Sequence, residues 1–280
     1  MASNSESKSI VISGGARGIG RCIARTFLTK GHRVYLLDID EEELSHTTTV
    51  HLKKYYEFSK LGSSLCNLRD IADIRRKISK AAEFFNNRID VLINNGGIAT
   101  PQWKDGKTME DPDTIDEWQA YMETNLTAPF AMSQACIPYM KAETSESGTD
   151  ADHVRDPGSC IIHIGSFRAH QSDPNQEGYA SSKAGQLGLM HSMSISLSQW
   201  GIRVNLIAPG RIKVAHESKE GDRTGRDWQG QNSEEDAEHH PANRAGMPED
   251  IADAAIYLMN AGFVTGQDIT VDGGVLKKKK

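Results

Sequence analysis

What these 280 residues lack narrows the field first. No apolar stretch reaches the ~20 residues that a membrane-crossing helix needs, and residues 1–9 are polar, without the apolar core of a secretion signal. The expectation is a cytoplasmic protein. No basic stripe interleaves with aromatics, and 32 Lys and Arg against 38 Asp and Glu leave a net charge of -6, which argues against a nucleic-acid partner. The one positive run, 277–280, is four lysines without an amphipathic helix and reads as a solvated end rather than an anchor. Cysteines are few. Cys22, Cys66, Cys136 and Cys160 have neither metal nor paired spacing, so they read as reduced packing residues. His239-His240 has no third ligand at supporting spacing, and His163, inside an apolar run, reads as a satisfied structural histidine; no metal is expected. Gly165-Ser166-Phe167 is not a Gly-x-Ser-x-Gly elbow and has no convincing His and Asp to pair with, which argues against a serine hydrolase. The sequon Asn125-Leu126-Thr127 lacks secretory context. There is no repeat at solenoid period and no shift of composition to mark a second domain.

What is present is alternation. Strand-like runs at 9–12, 33–37, 64–68, 90–93, 160–164, 204–207 and 267–271 are separated by amphipathic stretches, and 38% hydrophobic content allows one large core. Such alternation implies an α/β fold, a doubly wound parallel sheet of about seven strands with helices on both faces, in a single domain over 1–280. Two segments stand outside it. Residues 143–158, rich in Ser, Thr, Asp, Glu and Gly, read as an exposed insertion before strand five. Residues 211–246 follow Pro209-Gly210 at the C-terminal edge of the sheet, where a substrate lid would start; they are polar but carry Trp228. A disordered acidic loop is the alternative there.

The first strand runs into Ser13-Gly14-Gly15-Ala16-Arg17-Gly18-Ile19-Gly20 and then a helical pattern. Gly14, Gly18 and Gly20 let the backbone turn tightly and approach a pyrophosphate, whose charge is met by N–H groups at the helix N-terminus. The second strand ends in Asp38, close to the spacing of the acid that bonds the adenosine ribose hydroxyls. That carboxylate would repel a 2′-phosphate, so NAD(H) is favoured over NADP(H); Arg17 is the residue that would serve NADP(H) instead.

Tyr179 and Lys183 stand four positions apart in Gly178-Tyr179-Ala180-Ser181-Ser182-Lys183, so a helix sets them on one face. The Lys183 ammonium beside the phenol would favour its ionised form and make Tyr179 a usable acid and base. Ser166, after the fifth strand, is placed to hold a substrate oxygen. Arg168, His170 and residues 171–177 lie between them and lean towards a hydroxylated or otherwise polar substrate. Along 176–200, Ala184, Gly185, Leu187, Gly188, Leu189 and Met190 leave other faces small or apolar, a surface that needs a partner.

Taken together these motifs resemble the short-chain dehydrogenase/reductase family, from about Lys8 to Val275. The resemblance lies in Gly14-x-x-x-Gly18-x-Gly20, Asn94-Asn95-Gly96-Gly97, Tyr179-x-x-x-Lys183, Pro209-Gly210, and 265–267 with 271–274. It implies a Rossmann fold and a catalytic set of Asn125, Ser166, Tyr179 and Lys183. Asn125 would organise a water that links Lys183 to solvent, and Lys183 would also bond the nicotinamide ribose. Cofactor contacts would come from Gly14, Arg17, Gly18, Ile19, Gly20, Asp38, Asn67, Leu68, Asn94, Gly96, Tyr179, Lys183, Pro209, Gly210 and Ile212. Ser13 stands where Thr is usual. Gly96 replaces an Ala and should loosen its turn slightly, and Asn67 replaces an Asp that meets the adenine, where an amide still serves. The implied activity is NAD(H)-dependent interconversion of a secondary alcohol and a ketone by a homo-oligomer, a tetramer or dimer, acting on a small molecule. A non-catalytic dinucleotide-binding protein, or an epimerase or dehydratase on the same fold, are the alternatives.

Overall fold

The computed structural model describes residues 7–141 and 157–278, so most of the insertion expected at 143–158 and the last two lysines lie outside the described residues. Strands β1 (Ser9–Ser13), β2 (Arg33–Asp38), β3 (Leu61–Leu65), β4 (Val91–Asn94), β5 (Cys160–Ile164), β6 (Arg203–Pro209) and β7 (Asp268–Val271) form one sheet, ordered β3-β2-β1-β4-β5-β6-β7. Every pairing is parallel. This is the doubly wound Rossmann arrangement, and the order reverses between β1 and β4, where ligands of such sheets bind.

Helices α1 (Gly18–Thr29), α2 (Glu41–His46), α3 (Lys53–Glu57), α4 (Ile71–Phe84), α5 (Thr114–Met122), α6 (Ala128–Met140), α7 (Glu177–Ser196), α8 (Lys219–Thr224), α9 (Glu234–His239) and α10 (Pro248–Asn260) complete the described elements with short 3₁₀ and π turns. Successive strand residues point to opposite faces, so the buried strands feed two cores. Ile10, Ile12, Ile93 and Ile162 pack under α1 and α10, while Val11, Leu92 and Ile161 pack under α4, α6 and α7. All four cysteines are buried free thiols. Among the described residues no helix is long and apolar enough to cross a membrane.

Two strands are displaced from expectation. β3 begins at Leu61, not at 64, because a Cβ on Gly62 would stand 2.7 Å from the Tyr35 ring; the glycine that weakens the strand pattern makes room for the neighbouring aromatic. β4 starts one residue later than expected, since Asp90 uses its carboxylate to accept the N–H of Ser9 at 2.7 Å.

Residues 211–246 fold against the first helix instead of forming a disordered loop. Ile212 and Gly246 bridge its base, and Trp228 Nε1 donates to the Gly246 carbonyl at 3.1 Å. Arg21, 1% exposed, donates from Nε to Glu217 at 2.8 Å and from Nη1 to Asp222 at 2.7 Å. His46 Nε2 meets the same Asp222 at 2.8 Å, and Gly18 N–H donates to the Glu217 carbonyl at 2.7 Å. Two of the acids that suggest a solvated loop, Glu217 and Asp222, are thus partners of the buried Arg21 on α1, and Asp222 also of a histidine on α2. Cys22, Glu217 and Glu249 cluster as a cation site would, but the Arg25 guanidinium stands among them, 3.6 Å from the thiol and 3.0 Å from Glu249. His239 and His240 point their Nδ1 atoms at the carbonyls of Glu235 and Asp236.

Candidate active site

The β1–α1 turn is built by close approach. Gly14 and Gly18 adopt φ of 62° and 59°, and a Cβ on Gly20 would stand 2.1 Å from the Gly14 carbonyl oxygen. The turn is braced by Asn95, whose Nδ2 donates to the carbonyls of Ser13 at 3.2 Å and Gly14 at 2.8 Å. Asn95 belongs to a motif noted in the sequence, yet its bracing role appears only once β4 lies beside β1. Gly96 does not loosen this region. A Cβ there would meet the Leu68 side chain at 2.6 Å and Gly14 N at 3.1 Å, so its absence lets the end of β4 close on the turn. Asp38 at the end of β2 accepts the Ala16 N–H at 2.9 Å and faces the turn half-exposed. Asn67, exposed just past β3, accepts the Arg69 N–H at 3.0 Å, with Leu68 next to it. At the far side Pro209 ends β6, and a Cβ on Gly210 would stand 2.7 Å from Asp272 Cα.

These groups fit a dinucleotide. The first helical turn of α1 leaves N–H groups without intrahelical acceptors, contains no acidic residue and has no side-chain cap from Arg17. Gly18 N–H is taken by Glu217, which leaves Ile19 and Gly20 as the first-turn donors suited to a phosphate. Glycines at 14, 18 and 20 keep Cβ atoms out of that approach.

Beside this turn lie the proton-transfer candidates. Ser166 follows β5, and its Oγ accepts the Arg168 N–H at 3.1 Å, capping the turn Phe167–Ala169. Tyr179, in the first turn of α7, stands edge-on to Tyr121 with ring centroids 6.3 Å apart, and the Ser166 hydroxyl is near enough to bear on its phenol. Tyr121 is held in turn by Trp103 at 5.8 Å and donates its O–H to the Thr100 carbonyl at 2.6 Å. Trp103 and Tyr121 are missed by sequence reasoning; only their aromatic character before α7 hinted at a wall. Asn125 sits in a π-helical turn, Glu123–Thr127, between α5 and α6. Its Oδ1 accepts the Ile98 N–H at 2.8 Å, while its Nδ2 donates to the Ile98 carbonyl at 3.1 Å and to Ser182 Oγ at 3.2 Å. A Cβ on Gly97 would stand 2.8 Å from Asn125 Oδ1 and 4.0 Å from Lys183 Nζ, so the glycine keeps the gap between those two side chains open.

The electrostatics differ from the expectation in one respect. Lys183 is buried and donates from Nζ to the Ile164 carbonyl at 2.9 Å, 5.8 Å from the Tyr179 ring centroid. Burial lowers its pKa to about 8. It is not what pulls the phenol down. Burial raises Tyr179 above the ordinary tyrosine value, and the opposing pulls come from the Ser166 hydrogen bond and the Arg168 charge. His163 is only half satisfied: Asn94 Nδ2 lies 3.3 Å from Nδ1, while the buried Nε2 has no hydrogen-bond partner among the described residues. Burial and then the Lys183 charge lower its pKa to about 4.

The expected site residues therefore converge on the C-terminal edge of the sheet, at the ends of β1, β2, β4, β5 and β6, with Asn67 and Leu68 at the outer end of β3. Known proteins share this plan. Residues 14–276 match the family described as enoyl-(acyl carrier protein) reductase. An uncharacterised oxidoreductase of Thermotoga maritima is 33% identical over 280 residues, covering 98% of this chain and 97% of its own. A 3-oxoacyl-(acyl-carrier-protein) reductase of Chlamydia trachomatis is 29% identical over 279 residues, covering 96% of this chain and 97% of its own. Among solved structures, an apo SCOR enzyme from Clostridium thermocellum superposes with a TM-score of 0.76 at 29% identity, covering 98% of this chain and 95% of its own.

The His163 shift has a consequence for acid stability. A base whose folded pKa lies below its unfolded value is protonated first in the unfolded chain, so the stability present above pH 6.5 is lost as pH falls towards 4. The loss attributable to this group is about 3 kcal/mol at most. Urea unfolding at pH 7 and pH 4.5 should show a smaller acid loss in His163→Asn than in the wild type. Equal losses would show that the ring does not control the acid limb.

Proposed function

Because the chain belongs to the short-chain dehydrogenase/reductase family of oxidoreductases, which use a nicotinamide dinucleotide, we propose that it interconverts a secondary alcohol and a ketone, with NAD(H) favoured. The observation that carries this reading is the meeting of Ser166, Tyr179, Lys183 and Asn125 beside the glycine turn. The 3-oxoacyl reductase, similar over nearly the whole chain, is named for a ketone substrate, which supports the same direction of thought.

The residues divide the work. Ile19, Gly20 and the turn between Gly14 and Gly18 would hold the pyrophosphate, Arg17 flanks it, and Asp38 would take the adenosine ribose hydroxyls. Leu68 and Asn67 would lie towards the adenine side with Gly96 between Leu68 and the glycine turn, Pro209, Gly210 and Ile212 would border the nicotinamide side, and Asn94, its side chain buried against Ser133 and His163, would contribute through its backbone. When bound, the nicotinamide supplies or accepts the hydride. Ser166 holds the substrate oxygen. In reduction Tyr179 gives that oxygen its phenolic proton, and in oxidation it removes the alcohol proton. Its raised pKa keeps the phenol protonated at neutral pH, so oxidation climbs with pH through the alkaline range. Lys183 would bond the nicotinamide ribose, and across the gap that Gly97 leaves, Lys183 and Asn125 would return the proton by way of water. Residues 211–246 serve as the lid over the substrate, anchored on α1 through Arg21.

The exposed face of α7 supports a homo-oligomer. Of the residues expected to need a partner, Met190 is buried in the core, Leu187 and Leu189 pack against it and Gly185 meets Leu126; the exposed face is Ser181, Ala184, Gly188, His191 and Ile195, with Ile195 77% exposed and nothing within 4 Å of a Cβ on Gly188. Light scattering at micromolar concentration should return a dimer or tetramer; the 30.8 kDa monomer would refute this.

Cofactor preference follows from Asp38. Isothermal titration should show NAD(H) binding more tightly than NADP(H), by about 1–3 kcal/mol, and Asp38→Ala should narrow the gap. Equal or tighter NADP(H) binding would assign control to Arg17 instead.

Chemistry and binding separate at α7. Tyr179→Phe removes one oxygen, so NADH affinity measured by fluorescence should hold while turnover of an accepted ketone falls about 100-fold or more. Lys183→Ala should damage both. Near-wild-type turnover of Tyr179→Phe would remove Tyr179 from the acid–base role.

A further inference from the structure

Arg168 is placed where a substrate would lie, and its present partner is easily exchanged. It follows Ser166 by two residues, and its own N–H donates to Ser166 Oγ at 3.1 Å. The guanidinium stacks over the Phe167 ring at 4.6 Å and is only 11% exposed, whereas the Asp173 carboxylate that pairs with it is 51% exposed. An ion pair with so exposed a carboxylate contributes little, because water competes for the acid and the loop must be held to keep it. A buried guanidinium with a weakly held partner presents two parallel N–H groups to a planar anion.

The neighbouring charges are already committed. Glu177 accepts from Trp103 Nε1 at 2.8 Å, Asp268 pairs with His170, and the Lys183 ammonium donates to Ile164. Asp173 sits in a run of exposed residues, with Asn175 at a φ of 64°, between the turn after Ser166 and the start of α7. At the base of the same loop Gln176 is 1% exposed, and among the described residues neither atom of its amide has a hydrogen-bond partner. Gln176 stands at the N-terminus of α7, three residues before Tyr179. The Arg168 charge is also felt at the phenol.

We infer that the substrate carries a carboxylate beside its reacting carbonyl or alcohol, and that this carboxylate replaces Asp173 on Arg168. The inference rests on the carbonyl-reducing function proposed above and narrows its substrate to oxo and hydroxy acids. Arg168 is then a specificity residue, and Asp173 is a stand-in for the ligand. Because the same guanidinium bears on both the anion and the phenol, occupancy of the site by a carboxylate also decides how much of that charge Tyr179 feels.

The test uses matched pairs that differ only in charge: pyruvate, acetoacetate and levulinate, each against its methyl ester, with the full chain and whichever nicotinamide cofactor it accepts. These three acids step the carboxylate away from the carbonyl. At least one acid should be reduced with a kcat/KM about 10-fold or more above its ester. Arg168→Met should collapse that acid-to-ester ratio by a similar factor through KM, Arg168→Lys should keep part of it, and Asp173→Asn should lower the KM of the acid relative to that of the ester. Binding of the same six compounds to the protein–NADH complex, followed by fluorescence, gives a readout that needs no turnover. Acid-selective binding that Arg168→Met abolishes, without turnover of any compound, would uphold the carboxylate site and count against the oxidoreductase reading. Esters bound and reduced as well as acids, or a ratio unchanged in Arg168→Met, would overturn the inference.

Discussion

A lysine ammonium is buried at the C-terminal edge of the sheet, and much of the site can be understood as the accommodation of that one charge. Lys183 Nζ reaches the carbonyl of Ile164, the last residue of β5, at 2.9 Å, and is otherwise surrounded by protein. Such a group binds its proton less tightly than in water, which is why its pKa falls to about 8. The same charge, together with burial, keeps His163 neutral one strand residue earlier. Nearby, Gly97 omits the Cβ that would fill the space between the ammonium and Asn125. The relay proposed for Lys183 and Asn125 needs both of these features, a lysine whose proton is held less tightly than in water and an open gap to the buried amide.

Asn125 answers the same constraint from the other side. A regular helix running from α5 to α6 would carry its residues past the site, but the π-helical turn Glu123–Thr127 adds local slack in the hydrogen-bond ladder. The side chain thereby clamps the Ile98 backbone through both its oxygen and its nitrogen. Gln186, one turn beyond Lys183 on α7, donates to the Asn125 carbonyl and ties the turn to the helix that bears the phenol. The tyrosine ring in turn leans on Tyr121. The start of α7 that bears Tyr179 is thus positioned by segments distant in sequence, through the Gln186 bond to Asn125 and the ring contact with Tyr121.

Much of this was legible in the sequence. Parallel strands buried on both sides read as apolar runs, and the residues 160–164 and 33–37 stood out for that reason. The glycine turn, Asp38, Ser166, Tyr179 and Lys183 follow local spacing rules, so short windows of sequence were enough. What escaped depends on contacts between distant segments. Asn95 braces the first turn only because β4 lies next to β1, and Trp103 and Tyr121 become a wall only when α5 packs on α7. The source of the phenol's electrostatic pull escaped for a different reason. Helical spacing places Lys183 on the same face as Tyr179, but the side chain is long enough to turn to the carbonyl of Ile164, and residue spacing says nothing about that choice.

The ion pairs between the first helix and residues 211–246 show why an acidic composition misleads in such a segment. Arg21 and Arg25 lie on α1, and without Glu217 and Asp222 the buried Arg21 would be an uncompensated charge, which is far more costly than the pair is favourable. Glu217 and Asp222 are therefore required by a helix nearly two hundred residues away, whereas Glu220, Asp227, Glu234, Glu235 and Glu238 stay exposed as the composition suggests. One consequence reaches the site itself. The carbonyl of Glu217 accepts the N–H of Gly18 at the very start of α1, so the segment that would cover the substrate is fastened to the helix end that would meet the cofactor's phosphates. Movement of one bears on the other, because the guanidinium of Arg21 is 1% exposed and loses its two carboxylates only at the cost of a buried unpaired charge.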